Sequence, residues 1–339
     1  MSDAELLLPV RSPLRRLTGV QIIGTGSYVP DNVVTNEDLA SLGCDAEWIV
    51  QRTGIRERRH APPEISTSDM AVAAGERCIE AAKIDRSQID LLVLATMSPD
   101  YLLPATAAPV QQRLGLNCAA MDVSAACAGF MYALVTAMQF VATGCSKSAL
   151  VIGSDTNSRV MDPDDKKTFP LFGDGAGAVI ITKGSDEQGL LSYTLGADGA
   201  GEQLLVRLKG GAREPLNGEP PGTDWFLKMD GRPVFKWAVR LLDDSARQVI
   251  EAGGFKPSDV ALWVFHQANI RILDAAADAL SIDRNKVETH LDRYGNTSAG
   301  SVPIALDEAL RAGRFKRGDL LLLCGFGGGL SWGTALMRW

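Results

Sequence analysis

The chain has 339 residues, 46% hydrophobic and 22% charged, a balance that suits a globular enzyme with a large core. A net charge of -7 without a long basic run excludes general nucleic-acid binding. Six cysteines without a C-x-x-C pair, and three histidines without ligand spacing, exclude a disulfide framework and a metal site.

Asp3 and Glu5 ahead of a short leucine run and Pro9 do not make a signal peptide. Residues 1–16 are therefore expected to be a tail, and the cytoplasm is the expected location. A strand is expected at 20–24. Gly24 to Gly26 is expected to be the turn that ends it, because the third glycine and following helix of a dinucleotide fingerprint are missing. Short helices follow at 36–42 and 44–52, the first opened by Thr35 with Asp38 completing a weak capping box. Trp48 lies close in sequence to Arg52, Arg56, Arg58 and Arg59. Such a cluster is either a solvated basic turn or an aromatic face with guanidinium groups for a nucleotide's phosphates. Residues 67–83 predict an amphipathic helix and 89–96 a strand buried on both faces, as in a parallel sheet. Tyr101 to Pro104 is an apolar loop before the next helix.

The stretch Asp122-Val-Ser-Ala-Ala-Cys127-Ala-Gly-Phe130 leads into a segment with no charged side chain from Val123 to Ser146. Residues 128–143 are apolar nearly all round, which predicts a buried central helix. A membrane span is rejected because Ala and Gly dilute the hydrophobicity, Thr136 and Gln139 sit at mid-length, and strand-like runs flank both ends. Cys127 falls in the first helical turn, where unpaired N–H groups and the helix dipole lower a thiol pKa and favour a nucleophile. The competing reading is a small buried packing residue.

Further on, a strand is expected at 149–153. The glycines of Gly173 to Gly177 precede a strand at 178–182, so close backbone packing explains them better than phosphate cradling. Residues 198–233, rich in Gly and Pro, suggest a lid or binding loop. A helix at 234–252, a strand at 260–265 ending at His266, a polar turn at 295–298, a helix at 303–312 and a strand at 320–324 complete the pattern.

The chain also repeats itself. Glu80 to Val93 resembles Glu251 to Val264, and Cys127 to Gly144 lines up with Asn296 to Gly313, at an offset of about 170 residues. Two similar halves are therefore expected, bringing the helix starts at Cys127 and Asn296 face to face with His266 beside them. Clefts form at such strand carboxyl ends, which favours the catalytic reading of Cys127.

With these motifs on view, the chain resembles the beta-ketoacyl acyl-carrier-protein synthase III enzymes of the thiolase superfamily over residues 17–339. The likeness rests on Trp48-Ile-Val-Gln-Arg-Thr-Gly-Ile-Arg56, Ala125-Ala-Cys127-Ala-Gly-Phe130, Phe172-Gly-Asp-Gly-Ala-Gly177, His266-Gln-Ala-Asn269, Tyr294-Gly-Asn296-Thr-Ser and Gly325-Phe-Gly-Gly-Gly329. It implies an α/β fold of two duplicated αβαβα halves, 17–190 and 191–339, stacked as a five-layer sandwich with pseudo-twofold symmetry. It also implies a decarboxylating Claisen condensation of an acyl-CoA primer with malonyl-acyl carrier protein. Cys127 would carry the acyl group, His266 and Asn296 would donate to the malonyl carbonyl, and the N–H groups of Cys127 and Gly328 would form the oxyanion hole.

By the same resemblance Trp48, Arg52, Lys166 and Asn269 belong to the CoA site, with Lys166 where the family commonly has a stacking arginine. Leu103 and Phe326 belong to acyl pockets, Leu103 in the partner subunit of a homodimer. Lys236, Arg240, Arg247 and Arg271 would meet an acidic carrier protein, although a solvated helix face explains such charges equally. No metal or separate cofactor is implied, and no membrane. His60 and His290 are expected to be surface or structural residues, and Cys44, Cys78, Cys118, Cys145 and Cys324 to be packing residues. The other readings are a condensing enzyme or acyltransferase of a secondary-metabolite pathway, a Cys-His-Asn hydrolase, and a non-enzymatic acyl-CoA sensor. The duplication and the intact Cys-His-Asn set disfavour the last two.

Overall fold

The computed structural model describes residues 12–216, 218 and 222–339. The first half contains β1 (Arg15–Thr18), β2 (Val20–Tyr28), β3 (Val33–Thr35), α1 (Ala46–Thr53), β4 (Glu57–Arg59), α2 (Thr67–Ala82), β5 (Leu91–Ala95), α3 (Ala107–Arg113), β6 (Ala119–Val123), α4 (Gly129–Thr143), β7 (Ser148–Asp155) and β8 (Gly175–Lys183). The second contains β9 (Gly189–Ala197), β10 (Leu205–Arg207), β11 (Leu227–Met229), α5 (Gly231–Gly253), β12 (Leu262–Phe265), α6 (Ile270–Leu280), α7 (Leu291–Tyr294), α8 (Ser301–Arg311), β13 (Leu320–Gly327) and β14 (Ser331–Arg338).

Two five-stranded sheets carry the fold, in the orders β2-β8-β7-β5-β6 and β1-β9-β14-β13-β12. Their pairing patterns match. In the first, β2 and β7 flank β8 antiparallel, while β7, β5 and β6 run parallel. In the second, β9 and β13 flank β14 antiparallel, and β12 runs parallel to β13. The counterpart of β6 has shrunk to one parallel bridge between Trp263 and Val287. The part of the repeat around β5 and β12 is reproduced at one constant offset. Lys83 and Gly254 both end their helices in the left-handed conformation, the 3-10 turns Arg86–Gln88 and Pro257–Asp259 follow, and then come β5 and β12.

Helices α4 and α8 lie between the sheets, α2 covers the outside of the first, and α5 with α6 covers the second. Three apolar cores fill the spaces between these five layers. Residues Ala126–Thr143 are long and apolar enough to cross a membrane, yet most of this stretch is buried inside the protein. Its even apolarity satisfies two sheets at once.

The structure corrects several expectations. Residues 1–11 of the expected tail lie outside the described residues, and Arg15 and Arg16 belong to β1, which pairs with β9. Gly24 to Gly26 is not a turn but the middle of β2. A Cβ on Gly26 would come 2.4 Å from the Cys78 backbone nitrogen, and one on Gly24 2.6 Å from the Ala82 Cβ. These glycines let α2 rest on the strand. The residues around Leu42 form a 3-10 helix, Glu37–Leu42, although Thr35 and Asp38 do bond reciprocally. The expected lid contains the hairpin β10–β11, with Leu205 and Leu227 packed on Val160, Met161 and Phe172. Residues 217 and 219–221 of it lie outside the described residues.

Candidate active site

After β6 the chain passes through Ala126, at φ 46°, into the 3-10 turn Ala126–Ala128 that becomes α4. Cys127 sits in this turn, 4% exposed, against the end of β13. A Cβ on Gly327 would lie 2.8 Å from both the N and the Cβ of Cys127, so the approach requires glycine. Burial pushes the thiol up to about 12, the adjacent Ser298 hydroxyl opposing the rise and the Asp155 carboxyl adding to it. The lowering expected from the helix start is outweighed because a thiolate in this buried site loses more hydration than the dipole and Ser298 return. The resting thiol is protonated.

The second half has a matching turn. Ser298, at φ 50°, enters the 3-10 turn Ser298–Gly300 that becomes α8. By this geometry the counterpart of Cys127 is Ala299, and Asn296 lies three residues earlier, which corrects the pairing inferred from sequence. With 15 residues in α4 and 11 in α8, a match anchored on the glycines after both helices slips at their starts. Asn296 is stitched to the first half. Its N–H donates to Leu171 O at 2.8 Å, and its carbonyl accepts from Gly173 N at 3.0 Å and from Asn157 Nδ2 at 3.3 Å. Its side-chain Oδ1 accepts from Ser298 N at 2.8 Å, leaving Nδ2 to donate.

His266 leaves the end of β12, with its N–H on Cys324 O at 2.7 Å and its ring edge-on to Phe326 at 5.1 Å. Burial, and after it the neighbouring His290, holds its pKa down to about 3, so the imidazole is neutral at ordinary pH. Gln267 fastens this strand end to the chain ahead of α7, its Nε2 reaching Phe265 O and Glu288 O and its Oε1 accepting from His290 N. His290 is structural rather than superficial, fully buried with Nε2 on Ser301 O. Asp155, which the sequence reading passed over, accepts from Thr96, Met97 and Ser98 of the first half and from Ala299 N of the second. The signal for it was a carboxylate ending an otherwise apolar buried strand.

A cavity of about 310 Å³ is lined by Trp48, Arg52, Lys166, Asn269, Arg271, Asn296 and Phe326 among others. Four of these, Trp48, Arg52, Lys166 and Asn269, are the residues that the family resemblance assigned to one site. Asn296 and Phe326 join the cavity to the group around Cys127, since Phe326 touches His266 and the next residue packs on Cys127. The Arg52 guanidinium stands over the Trp48 ring, 5.3 Å from its centre. Asn269 caps α6 by accepting from Arg271 N and reaches Arg52 O with its Nδ2, so it ties the two sides of the cavity together. Lys167 also lines it. Arg58 does not belong with this group. It is fully buried and donates to Val34 O, Asn36 Oδ1 and Pro170 O.

Other expected residues lie elsewhere. Leu103 is 87% exposed, on a loop with the exposed Tyr101 and Leu102. Lys236 and Arg240 are exposed along α5, while Arg247 pairs with Asp243 and bonds to Ala279 O on α6. Gly328, by contrast, stays with the site: it follows β13 between the Leu205 carbonyl and Ala126 of the Cys127 turn. Cys145 is exposed, unlike a packing residue. Among the described residues no group of His, Cys, Asp and Glu gathers for a metal ion.

Comparison with known proteins gives one pattern. Residues 121–199 match the family model "3-Oxoacyl-[acyl-carrier-protein (ACP)] synthase III", and residues 250–339 match its C-terminal counterpart. A beta-ketoacyl-[acyl-carrier-protein] synthase III of Rhodopirellula baltica is 52% identical over 95% of this chain and 99% of its own. The crystal structure of 3-oxoacyl-[acyl-carrier-protein] synthase III from Aquifex aeolicus superposes with a TM-score of 0.86 at 43% identity, covering 95% of this chain and 100% of that one. The priming beta-ketosynthase of the R1128 polyketide pathway superposes with a TM-score of 0.89 at 36% identity, covering 97% and 98%.

Proposed function

This chain belongs to the beta-ketoacyl-acyl-carrier-protein synthase III family, and from that premise we propose how its own residues carry out the family's reaction. It is a condensing acyltransferase that joins an acyl primer to malonyl-acyl carrier protein at the start of fatty-acid synthesis. Cys127 takes the acyl group from acyl-CoA, and the thiol proton leaves on the CoA sulfur. Loss of CO2 from the malonyl thioester sends an electron pair toward its carbonyl oxygen, where His266 and Asn296 Nδ2 donate hydrogen bonds. The resulting carbon nucleophile attacks the acyl carbonyl, the C–S bond breaks and Cys127 departs as thiolate. The N–H groups of Cys127 and Gly328 hold the oxyanion of each acyl transfer.

The observation that carries this reading is a buried thiol, a neutral imidazole and an amide donor gathered behind one cavity, whose lining residue Asn296 supplies the amide and whose lining residue Phe326 packs on His266 and leads into Gly327 against Cys127. A neutral His266 donates without bringing a charge that would compete for the thiolate. CoA enters as substrate through the cavity, with its adenine on Trp48 and its phosphates near Arg52 and Lys166. No separate cofactor is called for. Lys236, Arg240, Arg247 and Arg271 receive the acidic carrier protein, with Arg271 at the cavity itself.

The exposed Tyr101, Leu102 and Leu103 are covered in a homodimer, where Leu103 enters the partner's acyl pocket beside its Phe326 counterpart. A leucine there, in place of an aromatic, leaves the primer length open. The cytoplasm, where CoA thioesters and carrier proteins meet, is the proposed location.

Intact-protein mass spectrometry with a panel of acyl-CoAs tests the proposal. One acyl adduct on Cys127, discharged by malonyl-acyl carrier protein with release of CO2, is the expected result and names the primer. An adduct that malonyl donors leave in place would sink the condensing role and favour acyl transfer in a specialised pathway.

A further inference from the structure

The turn opposite the nucleophile contains a side chain that the condensation as described does not use. Ser298 is fully buried, at φ 50°, a region that residues with a Cβ seldom occupy. Its backbone is held there from both sides, its own N–H on Asn296 Oδ1 at 2.8 Å and the next N–H on Asp155 Oδ2 at 3.0 Å. The turn Ser298–Gly300 packs directly on the turn Ala126–Ala128. The Ser298 hydroxyl stands beside the Cys127 thiol and the Asp155 carboxyl, near enough to favour the charged form of each, yet it makes no well-formed hydrogen bond to either. A buried hydroxyl without a partner calls for an explanation. Of the two neighbours, Asp155 is already bonded, with four hydrogen bonds on Oδ1 and one on Oδ2, whereas among the described residues no side chain other than Ser298 is placed to donate to the Cys127 sulfur.

We propose that Ser298 is a further catalytic residue, its hydroxyl donating a hydrogen bond to the Cys127 sulfur whenever that sulfur is anionic. The inference rests on the reading of Cys127 as the acyl carrier. A neutral thiol is a weak acceptor, so in the resting enzyme the hydroxyl has little to gain. A thiolate is a strong one, and charge-assisted bonds are about twice as strong as neutral ones. During acylation the thiol proton leaves on the CoA sulfur and Ser298 keeps its own. During condensation the C–S bond breaks as the new C–C bond forms, and the departing thiolate meets the same donor.

The test is Ser298→Ala in the full chain, with Ser298→Gly as a second variant that suits the backbone and also lacks the hydroxyl. Alkylation of Cys127 by iodoacetamide is followed against pH, alongside the acylation rate, CO2 release from malonyl-acyl carrier protein and the thermal midpoint. In both variants alkylation should be about tenfold slower at fixed pH, with the profile moved up by about one pH unit. Acylation should slow in step, and CO2 release should change less than about twofold, since the Asn296 contact is made by the backbone. Alkylation profiles that superimpose on wild type would overturn the proposal. So would equal losses in alkylation, CO2 release and thermal midpoint, which would mark a purely structural hydroxyl. Failure of the wild type to accept any acyl-CoA would sink the proposed reaction and still leave the alkylation profile readable.

Discussion

The turns at Cys127 and at Ala299 share a backbone and divide the chemistry between them. Each enters its helix through a residue of positive φ, Ala126 at 46° and Ser298 at 50°, and each lies between the two sheets. The first carries Cys127, the proposed nucleophile, pressed against a glycine strand end. The second carries no nucleophile but is clamped to the first half through Asp155, Asn157 and the Phe172 bridge. Duplication thus supplies the geometry twice, and in the proposed reaction the side chains decide which copy reacts and which holds Asn296 toward the substrate.

Removing the nucleophile is expected to have the largest effect. Cys127→Ser should lower acylation on the order of 10⁴-fold or more, measured by intact mass after incubation with acyl-CoA. Changes at the donor pair come next. His266→Ala and Asn296→Ala should each leave Cys127 acylation in place while CO2 release from the malonyl donor falls on the order of 10²-fold. Equal loss of both half-reactions would erase the division of labour.

Two glycines sharpen the comparison further. Gly327→Ala forces a Cβ to within 2.8 Å of Cys127 and should slow acylation about 10²-fold by displacing the nucleophile. On the other side, a Cβ on Gly153 would meet Ala299 O at 2.2 Å. Gly153→Ala should therefore destabilise the fold by roughly 1–3 kcal/mol, read from urea unfolding.

The smallest effect concerns pH. His266 is held down to about 3 in the folded chain, whereas an unfolded histidine titrates at about 6.5. Between these values the unfolded state binds more protons, so stability should fall as pH drops through that window. His60 and His290, both lowered by burial, act in the same direction. Replacing His266 by Gln should make the thermal midpoint less sensitive to acid over this range, and an unchanged slope would contradict the assigned pKa.

Much of the fold was legible because its signals are local. Runs such as Leu91–Ala95 are apolar on both faces and become parallel strands, and the repeat around Val93 and Val264 foretold two matching sheets. The family resemblance also grouped Trp48, Arg52, Lys166 and Asn269, which the fold brings to one cavity. What escaped depended on contacts across the fold. Gly24 and Gly26 look like turn residues until α2 is seen resting on them. The Cys127 thiol looked acidified from its helix position, but burial by β13 reverses the sign. Asn296 seemed to match Cys127 because the helices after them differ in length by one turn. Asp155 carries no motif of its own, and Ser298 closes the Tyr294-Gly-Asn296-Thr-Ser motif without a role read from it; both roles come from what packs around them.

In the proposed reaction, acyl carriage belongs to Cys127 in the first half and enolate stabilisation to His266 and Asn296 in the second. The most direct test is the rate of CO2 release from malonyl-acyl carrier protein by Cys127→Ser, compared with the His266→Ala and Asn296→Ala double variant. Persistent release from the first and loss of release from the second is the predicted result. Loss of release from Cys127→Ser, in a protein that remains folded, would contradict the claim.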